Sequence, residues 1–292
     1  MFVLNLKDKF VYSQYIDLCK RINASLSEIT KERHVVLDLS EVTFVDPFGM
    51  ISIIGIGRHM YNRQGIFTTI VLPRGSAGTY MERAGFSSIS IQENFIEVKR
   101  STSWTKWLRN TDTGILNFFT NEQEIRSIVE EVERWMGSHG YDESEQSSMS
   151  TFISEMVQNV CQHSRSPQRG VLCAQAYRNH KGEHFLAWAI GDAGVGIRQS
   201  LLDANVPGIE GMEDSDAIQA VLKGRSSIQD DITRGNGFPN LFKAAQKRRA
   251  TLFIHSNRGI YGLNMNTSAA SQGKLVMNQS PIAGTTVSFI MG

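Results

Sequence analysis

The sequence has few cysteines and almost no net charge, and each absence excludes a class of protein. Its 292 residues include only three cysteines, Cys19, Cys161 and Cys173, which are far apart and form no C-x-x-C pair. This spacing argues against a disulfide framework or a structural zinc site, so we expect reduced thiols. Thirty Lys and Arg residues oppose 29 Asp and Glu residues, which leaves a formal net charge of +1. No global field therefore draws the chain onto nucleic acid or anionic lipid.

Hydrophobic segments of membrane length are also lacking. The N-terminal stretch MFVLNLKDKF has no apolar run of signal-peptide length. The most apolar internal run, Ile51 to Ile56, is far shorter than the roughly 20 residues of a membrane span. We therefore expect a cytoplasmic protein without membrane contact. The length suggests two domains at roughly 150 residues each, both large enough for a core of their own.

The first 98 residues alternate strand and helix signals. The β-branched run HVVLDLS at 34–40 predicts a buried strand, and FGMISIIGIGRHMYNRQG at 48–65 predicts a helix ended by Gly65. IFTTIVLP at 66–73 predicts a second strand stopped by proline. Weaker signals predict a strand at 2–6 and helices at about 11–30 and 78–86. This alternation predicts an α/β layer structure.

A polar stretch, KRSTSWTK at 99–106, and turn-like residues at 110–114 interrupt the alternation. We place a linker at 99–120 and a second domain at 121–292. The second domain begins with a helix predicted from Asn121 to Gly137 and another from about Ser147. The remaining signals are strands at 171–178 and 184–192, a polar segment at 207–237, a helix ending near Arg249, and the strands TLFIHS, GIYGLNM and TTVSFIM.

The predicted helix SEMVQNVCQHS carries the first of four short motifs in the second domain. Glu155 and Asn159 lie four residues apart, which places both side chains on one helix face. A carboxylate there can polarise a water, and an amide oxygen beside it can bind a magnesium ion that bridges phosphates. Taken alone, the pair would more often be a solvated helix face. We expect a structural role for His163 on the same face.

The second motif, GDAGVGI, directly follows a hydrophobic strand. Asp192 at the strand end can accept a hydrogen bond from the exocyclic amine of adenine. Gly194 and Gly196 allow the backbone to bend closely around the base. A single D-x-G-x-G string is usually a turn. The evidence for a binding role is mainly its position, after the Glu155 helix and directly after a strand.

The third and fourth motifs are RGNGF at 234–238 and GTTVSF at 284–289. Gly235 and Gly237 precede a predicted helix, where backbone N–H groups can face phosphate oxygens. Thr285 offers a hydroxyl to the adenine edge. Each motif alone would be an ordinary turn, whereas their order along one domain predicts a nucleotide site.

The order E-x-x-x-N, D-x-G-x-G, R-G-x-G, G-T-T resembles the N, G1, G2 and G3 boxes of the GHKL superfamily, the gyrase, MutL and histidine-kinase-like ATPases. This resemblance implies a Bergerat-fold α/β sandwich that binds ATP and Mg²⁺, with the segment 207–237 as the ATP lid. Phe238 replaces the usual leucine, which is a conservative change. The roles implied are Glu155 as general base or water polariser, Asn159 as Mg²⁺ ligand, Asp192, Gly194, Gly196 and Thr285 around adenine, and Gly235 and Gly237 in the phosphate loop.

The string VVLDLSEVTFVDPFGM at 35–50 is similar to the centre of the STAS, or anti-sigma-factor antagonist, fold. In that family a helix beginning D-S-S-G-L carries a phosphorylatable serine. Here Phe48 stands at the serine position and offers no oxygen to a phosphate. The resemblance therefore implies a STAS-like scaffold without its phosphoswitch. We expect Phe48 to dock constitutively, either on the ATP-binding domain in cis or on a second protein.

Three functions remain open at this point. The first is an ATP-binding regulatory protein that hydrolyses ATP and changes a protein-binding surface through its lid. The second is a serine/threonine protein kinase similar to the anti-sigma-factor kinases, and the third is a non-catalytic interaction protein. The expected partners are ATP and another protein, which could be a second copy of the chain. The basic residues at 243–249 are typical of a solvated helix end, so we expect no nucleic-acid partner.

Overall fold

Two β-sheets, one parallel and one antiparallel, organise the protein in a computed structural model that describes residues 1–100, 115–178, 184–225, 237–264 and 273–291. In the first half the elements are β1 (Phe2–Phe10), α1 (Tyr12–Ala24), α2 (Leu26–Glu32), β2 (His34–Val45), α3 (Pro47–Gln64), β3 (Phe67–Val71), α4 (Gly75–Arg83), a 3-10 turn (Phe86–Ser88), α5 (Ile89–Gln92) and β4 (Ile96–Lys99). In the second half they are β5 (Ile115–Phe119), α6 (Glu122–Ser138), α7 (Glu143–His163), β6 (Gly170–Arg178), β7 (His184–Gly191), α8 (Ile197–Asp203), α9 (Asp214–Leu222), α10 (Gly237–Lys247), β8 (Thr251–Asn264) and β9 (Gly273–Met291).

The first sheet has the order β1-β2-β3-β4, and all its strands are parallel. This arrangement confirms the predicted α/β class, because parallel strands require the crossover helices that the alternation indicated. The helix predicted at 11–30 is divided at Ser25 into α1 and α2. None of the helices in the described ranges combines the length and apolar composition needed to cross a bilayer.

Helix α3 begins and ends at residues whose local chemistry favours those positions. Asp46 caps its N-terminus by accepting a hydrogen bond of 2.7 Å from the Gly49 N–H, and Pro47 occupies the first turn. Gly65 ends the helix in the left-handed region, with φ of 63°. Between these caps α3 is buried on almost every side. A helix that is apolar all round must lie between two packed layers.

The second sheet has the order β5-β6-β7-β9-β8 and is antiparallel throughout. Its edge strand β5 lies within residues 99–120, where we had placed a linker, and pairs with β6. The predicted strands TLFIHS and GIYGLNM form the single strand β8, whose register shifts between Ser256 and Gly259. Helices α6, α7, α9 and α10 cover one face of this sheet and contribute to its core.

The other face of the second sheet is covered by the first domain. Successive residues of β6 point to opposite faces of the sheet. Leu172 and Ala174 belong to the core under α7, whereas Val171 and Cys173 belong to the core that contains α3. We expected a separate core for each domain. Instead, one apolar cluster extends from the parallel sheet through α3 to the antiparallel sheet, which makes the protein a layered structure with α3 at its centre.

Phe48 lies in the middle of this contact. Its ring centroid is 4.7 Å from that of Phe253 in β8 and 5.2 Å from that of Tyr15 in α1, with both pairs edge-on. The Tyr15 hydroxyl is in turn 3.0 Å from Nδ1 of His255. Edge-to-face aromatic pairs are favourable beyond the area that they bury. Of the two docking modes predicted for Phe48, the structure therefore has the contact in cis.

The buried Asp46 carboxyl predicts a specific dependence of stability on pH. Burial raises the pKa of Asp46 from 3.8 to about 7, against the lowering effect of its backbone hydrogen bonds. Between these two pH values the folded protein holds a proton on Asp46 that the unfolded chain has released. The free energy of unfolding therefore falls as pH rises from about 4 to about 7, and the full loss is reached above about 7. Asp46→Asn keeps the helix cap and removes the titration.

We expect Asp46→Asn to gain stability over the wild type, on the order of a few kcal/mol, between pH 5 and pH 8. Urea unfolding of both proteins at several pH values measures this difference, in which the titrations of all other groups cancel. A difference that stays constant with pH would contradict the assignment.

Candidate functional site

A cavity of about 170 Å³ lies at the end of β7 and beside residues 285–287 within β9, between α7 and the N-termini of α8 and α10. This volume is far larger than the space that a single buried water needs. Residues from all four predicted motifs line it, although the motifs are separated by up to about 130 positions in sequence. The predicted site residues that line the cavity are Glu155, Asn159, Asp192, Gly196, Gly237 and Thr285.

The two remaining predicted residues are Gly235 and Gly194. Gly235 lies outside the described residues, as does the remainder of 226–236. Gly194 packs against the end of α7, where an added Cβ would lie 1.8 Å from the Ser164 carbonyl oxygen. The neighbouring Val195 N–H donates to that same oxygen at 2.8 Å. Glycine is therefore required at 194 because the backbones of 194 and Ser164 approach closely. Its role is to pack this segment against the end of α7.

Helix α7 presents Glu155 and Asn159 to the cavity, one turn apart, as their spacing predicted. A capping box between Asp142 and Glu145 fixes the start of this helix. The Oε2 atom of Glu155 is buried and has no hydrogen-bond partner among the described residues. Burial raises the pKa of Glu155. Oε2 of Glu155 can therefore accept a hydrogen bond from a group in the cavity.

His163 also lines the cavity, at the C-terminal end of α7. Burial, and then the charge of Arg165, lower the pKa of this histidine. The imidazole is therefore neutral near pH 7, and the structural role expected for His163 stays a prediction.

Asp192 follows the last residue of β7 and is only 8% exposed. Its Oδ1 accepts a hydrogen bond of 2.7 Å from the Gly194 N–H, and its own N–H donates to the Thr285 carbonyl at 2.9 Å. Burial raises the pKa of Asp192 to about 6, while backbone hydrogen bonds and the charge of Arg58 act to lower it. The side chain is ionised at neutral pH and can accept a hydrogen bond from a ligand.

Two residues of β8 that the sequence analysis did not identify hold the Asp192 and Thr285 segments together. The Ser256 hydroxyl is 3.1 Å from that of Thr285 and accepts from the Ile197 N–H at 2.8 Å. Asn257 donates to the Val195 carbonyl at 2.7 Å. The available signal was the polar string HSNR between two apolar runs, which marks the shift in strand register.

The cavity is also lined by the start of α10 and by Arg225, which follows α9. Gly237 lies so close to Glu155 that an added Cβ would be 3.2 Å from its Oε2. Arg225 also lines the cavity and donates to the Pro207 carbonyl at 3.1 Å. The segment 207–237, predicted as a lid, contains α9, whose residues Ala217 and Ile218 are fully buried. This part of the segment belongs to the fixed core.

The STAS-like segment lies on the face of the second sheet opposite to the cavity. Phe48 is 2% exposed and packs with the core of α3, whereas Met156 and Val157 of the cavity helix α7 belong to the core on the other face. The sheet itself therefore separates the position equivalent to the STAS phosphoserine from Glu155.

Comparison with known proteins supports the STAS-like part. A family model described as the STAS domain matches residues 16–99, a range that runs from α1 to the end of β4. The match indicates a regulatory or protein-interaction role for this part of the chain. A search of curated proteins gives no match.

Placing a charge at Phe48 should weaken the contact between the two sheets. Phe48→Asp would bury an unpaired carboxylate between Tyr15 and Phe253, which we expect to cost about 3 kcal/mol or more. Phe48→Leu keeps an apolar side chain and is the matched control. The expected result is faster proteolytic cleavage between β4 and β5 in Phe48→Asp alone, followed by gel electrophoresis and mass spectrometry. Equal cleavage rates in both variants would show that Phe48 does not hold the domains together.

Proposed function

We propose that the second domain is a GHKL-type ATP-binding module and that the protein is a regulator whose STAS-like domain is permanently docked on it. The observation that carries this proposal is the convergence of the four predicted motifs on one cavity. Ordinary turns and solvated helix faces would have no reason to meet there. The match of residues 16–99 to the STAS domain supports the regulatory part of the proposal.

Different residues around the cavity suit different parts of a nucleotide. Asp192, ionised and buried, would accept the exocyclic amine of adenine, with Gly196 and Thr285 beside the base. Gly237 begins α10, whose N-terminus offers backbone donors and a favourable dipole to phosphate oxygens. Asn159 would bind a Mg²⁺ ion between the phosphates, and Mg²⁺ would offset their negative charge. The lining thus offers an acceptor to the adenine and backbone donors to the phosphates, which supports ATP as the ligand.

Glu155 supports hydrolysis over simple binding. Its unpaired Oε2 and raised pKa suit a general base that takes a proton from a water. A purely structural or non-catalytic interaction protein, which is the third alternative, would have no use for an unpaired carboxylate oxygen beside the phosphate end of the cavity.

Transfer to a protein hydroxyl, as in a serine/threonine kinase, would use the same carboxylate. The STAS match favours keeping this alternative, since anti-sigma-factor kinases act with STAS proteins. The docked Phe48 is no acceptor, because it lacks a hydroxyl and lies behind the sheet. The position equivalent to the STAS phosphoserine is therefore not the acceptor in cis, and for this alternative we expect an acceptor on a protein partner.

Nucleotide binding predicts a thermal shift that depends on Asp192. Mg-ATP at about 100 times its Kd should stabilise the folded protein by roughly 2.7 kcal/mol, which corresponds to a rise in Tm on the order of 5 °C. Asp192→Asn should lose most of this rise, because an amide is no longer a pure acceptor towards the amine. Asp17→Asn, which makes the same change at an exposed site of α1, should keep it. A full shift in Asp192→Asn would refute the role of Asp192, and no shift in the wild type would refute ATP binding.

Turnover should depend on Glu155 but not on other acidic residues of the same helix. We expect Glu155→Ala to bind ATP normally and to lower turnover on the order of 100-fold. Glu143→Ala removes an exposed carboxylate from the first turn of α7 and is the control. Asn159→Ala should instead raise the Mg²⁺ concentration needed for binding.

Incubation with γ-labelled ATP, with and without a cell extract, distinguishes the two reactions. Free phosphate supports hydrolysis, and label on a second protein supports a kinase. Parental turnover in Glu155→Ala would make the catalytic role of Glu155 wrong.

A further inference from the structure

The first domain contacts the candidate nucleotide site from behind, through α3. Ile51 packs against Gly191, where an added Cβ would lie 2.4 Å from the Ile51 Cγ2. Gly191 is the last residue of β7 and directly precedes Asp192. Two turns further along α3, His59 reaches β9: its Nδ1 accepts a hydrogen bond of 3.0 Å from the Ala283 N–H. The end of β7 and the part of β9 next to the cavity are thus both contacted by one helix of the other domain.

Ala283 lies within β9, in a stretch where the pairing with β8 is irregular, because Ser256 pairs with Thr285 but Asn257 pairs with Ile282. We call this stretch of β9 the 283–285 turn, and it has little freedom of its own. Gly284, the next residue, has φ of 94°, a conformation that other residues rarely adopt. A Cβ at 284 would lie 2.0 Å from the Asp192 carbonyl oxygen, so the backbones of Gly284 and Asp192 are packed in direct contact. The following residue, Thr285, accepts from the Asp192 N–H. Displacement of Ala283 would therefore move the two residues placed around the adenine.

His59 is suited to hold this position at neutral pH. Burial, and then the charge of Arg63, lower its pKa to about 4, so the ring is neutral near pH 7. The hydrogen bond from the Ala283 N–H then requires the tautomer whose lone pair is on Nδ1. The same helix makes another polar contact between the domains. Asn62, one turn along α3, exchanges two amide hydrogen bonds of 3.0 and 2.8 Å with Gln168, and it contacts neither β7 nor β9 through them.

We propose that His59 is a positioning residue for the nucleotide site, so that the docked STAS-like domain completes the ATP-binding domain in cis. This inference rests on the proposed ATP binding. The hydrogen bond to Ala283 holds the 283–285 turn in the conformation that places Thr285 and Asp192 for adenine. Without it, the turn samples other conformations, and nucleotide binding must select the competent one. By linkage, bound nucleotide must in turn strengthen the contact between the domains.

Three variants of α3 test this role. His59→Ala removes the acceptor, His59→Asn restores an acceptor oxygen near the position of Nδ1, and Asn62→Ala breaks a different interdomain contact on the same helix. Two measurements apply to each full-length protein: ATP binding by calorimetry, and amide hydrogen exchange of a peptide covering 283–286 without nucleotide. The second measurement reports on the turn whether or not ATP is a ligand.

We expect His59→Ala to bind ATP roughly five- to thirtyfold more weakly than the wild type, with faster exchange at 283–286. His59→Asn should recover most of both effects, and Asn62→Ala should show neither. ATP affinity in His59→Ala within twofold of the wild type would overturn the positioning role and leave the proposed function intact.

A wild-type protein that binds no ATP would overturn both the positioning role and the proposed function. Unchanged hydrogen exchange at 283–286 in His59→Ala would separately show that His59 does not stabilise the 283–285 turn.

Discussion

The packing of α3 between two sheets is the contact on which the remaining architecture depends. Its residues meet the parallel strands on one side and β6, β7, β8 and β9 on the other, so neither sheet can form its complete core alone. Arg58 shows how far this burial extends, since its guanidinium is 2% exposed and is paired with Glu93 within the same domain. A charged pair so deeply enclosed requires both sheets to be in place to be shielded from water.

This arrangement gives the STAS-like loop a different physical role from a phosphorylation switch. A switch needs an exposed hydroxyl at the start of the helix and an interface that a phosphate can open. Here the same position is an aromatic ring in a well-packed apolar contact, and Asp46 beside it is buried as a helix cap. A signal received by this domain would have to reach the second domain through small shifts of the strands that contact α3.

The sequence predicted those features whose signal is local and strong. Strand β2, helix α3 and strand β3 follow from a β-branched run, a long apolar stretch and two clear stop signals, and the Glu155 to Asn159 spacing placed both residues on one helix face. Strand β5 was missed because five residues after a turn-like string become a strand only by pairing with β6, more than fifty positions later.

The packing role of Gly194 was also beyond prediction, because it depends on the Ser164 carbonyl from a distant helix end. One signal was present and could have been used. The strands VLCAQA and FLAWAI are apolar at consecutive positions, which is typical of strands buried on both faces and therefore of a second layer behind the sheet.

The dual burial of α3 also constrains the order of events during synthesis. Its first partners, β1 to β4, emerge from the ribosome early, whereas β9 is complete only about 190 residues after β4. At roughly 5–20 residues per second, the parallel sheet would wait on the order of ten to forty seconds for its second partner. During that interval the side of α3 that carries Phe48 and Ile51 is an uncovered apolar surface of the kind that chaperones bind. The nascent chain therefore has a period of vulnerability to aggregation that the finished protein does not have.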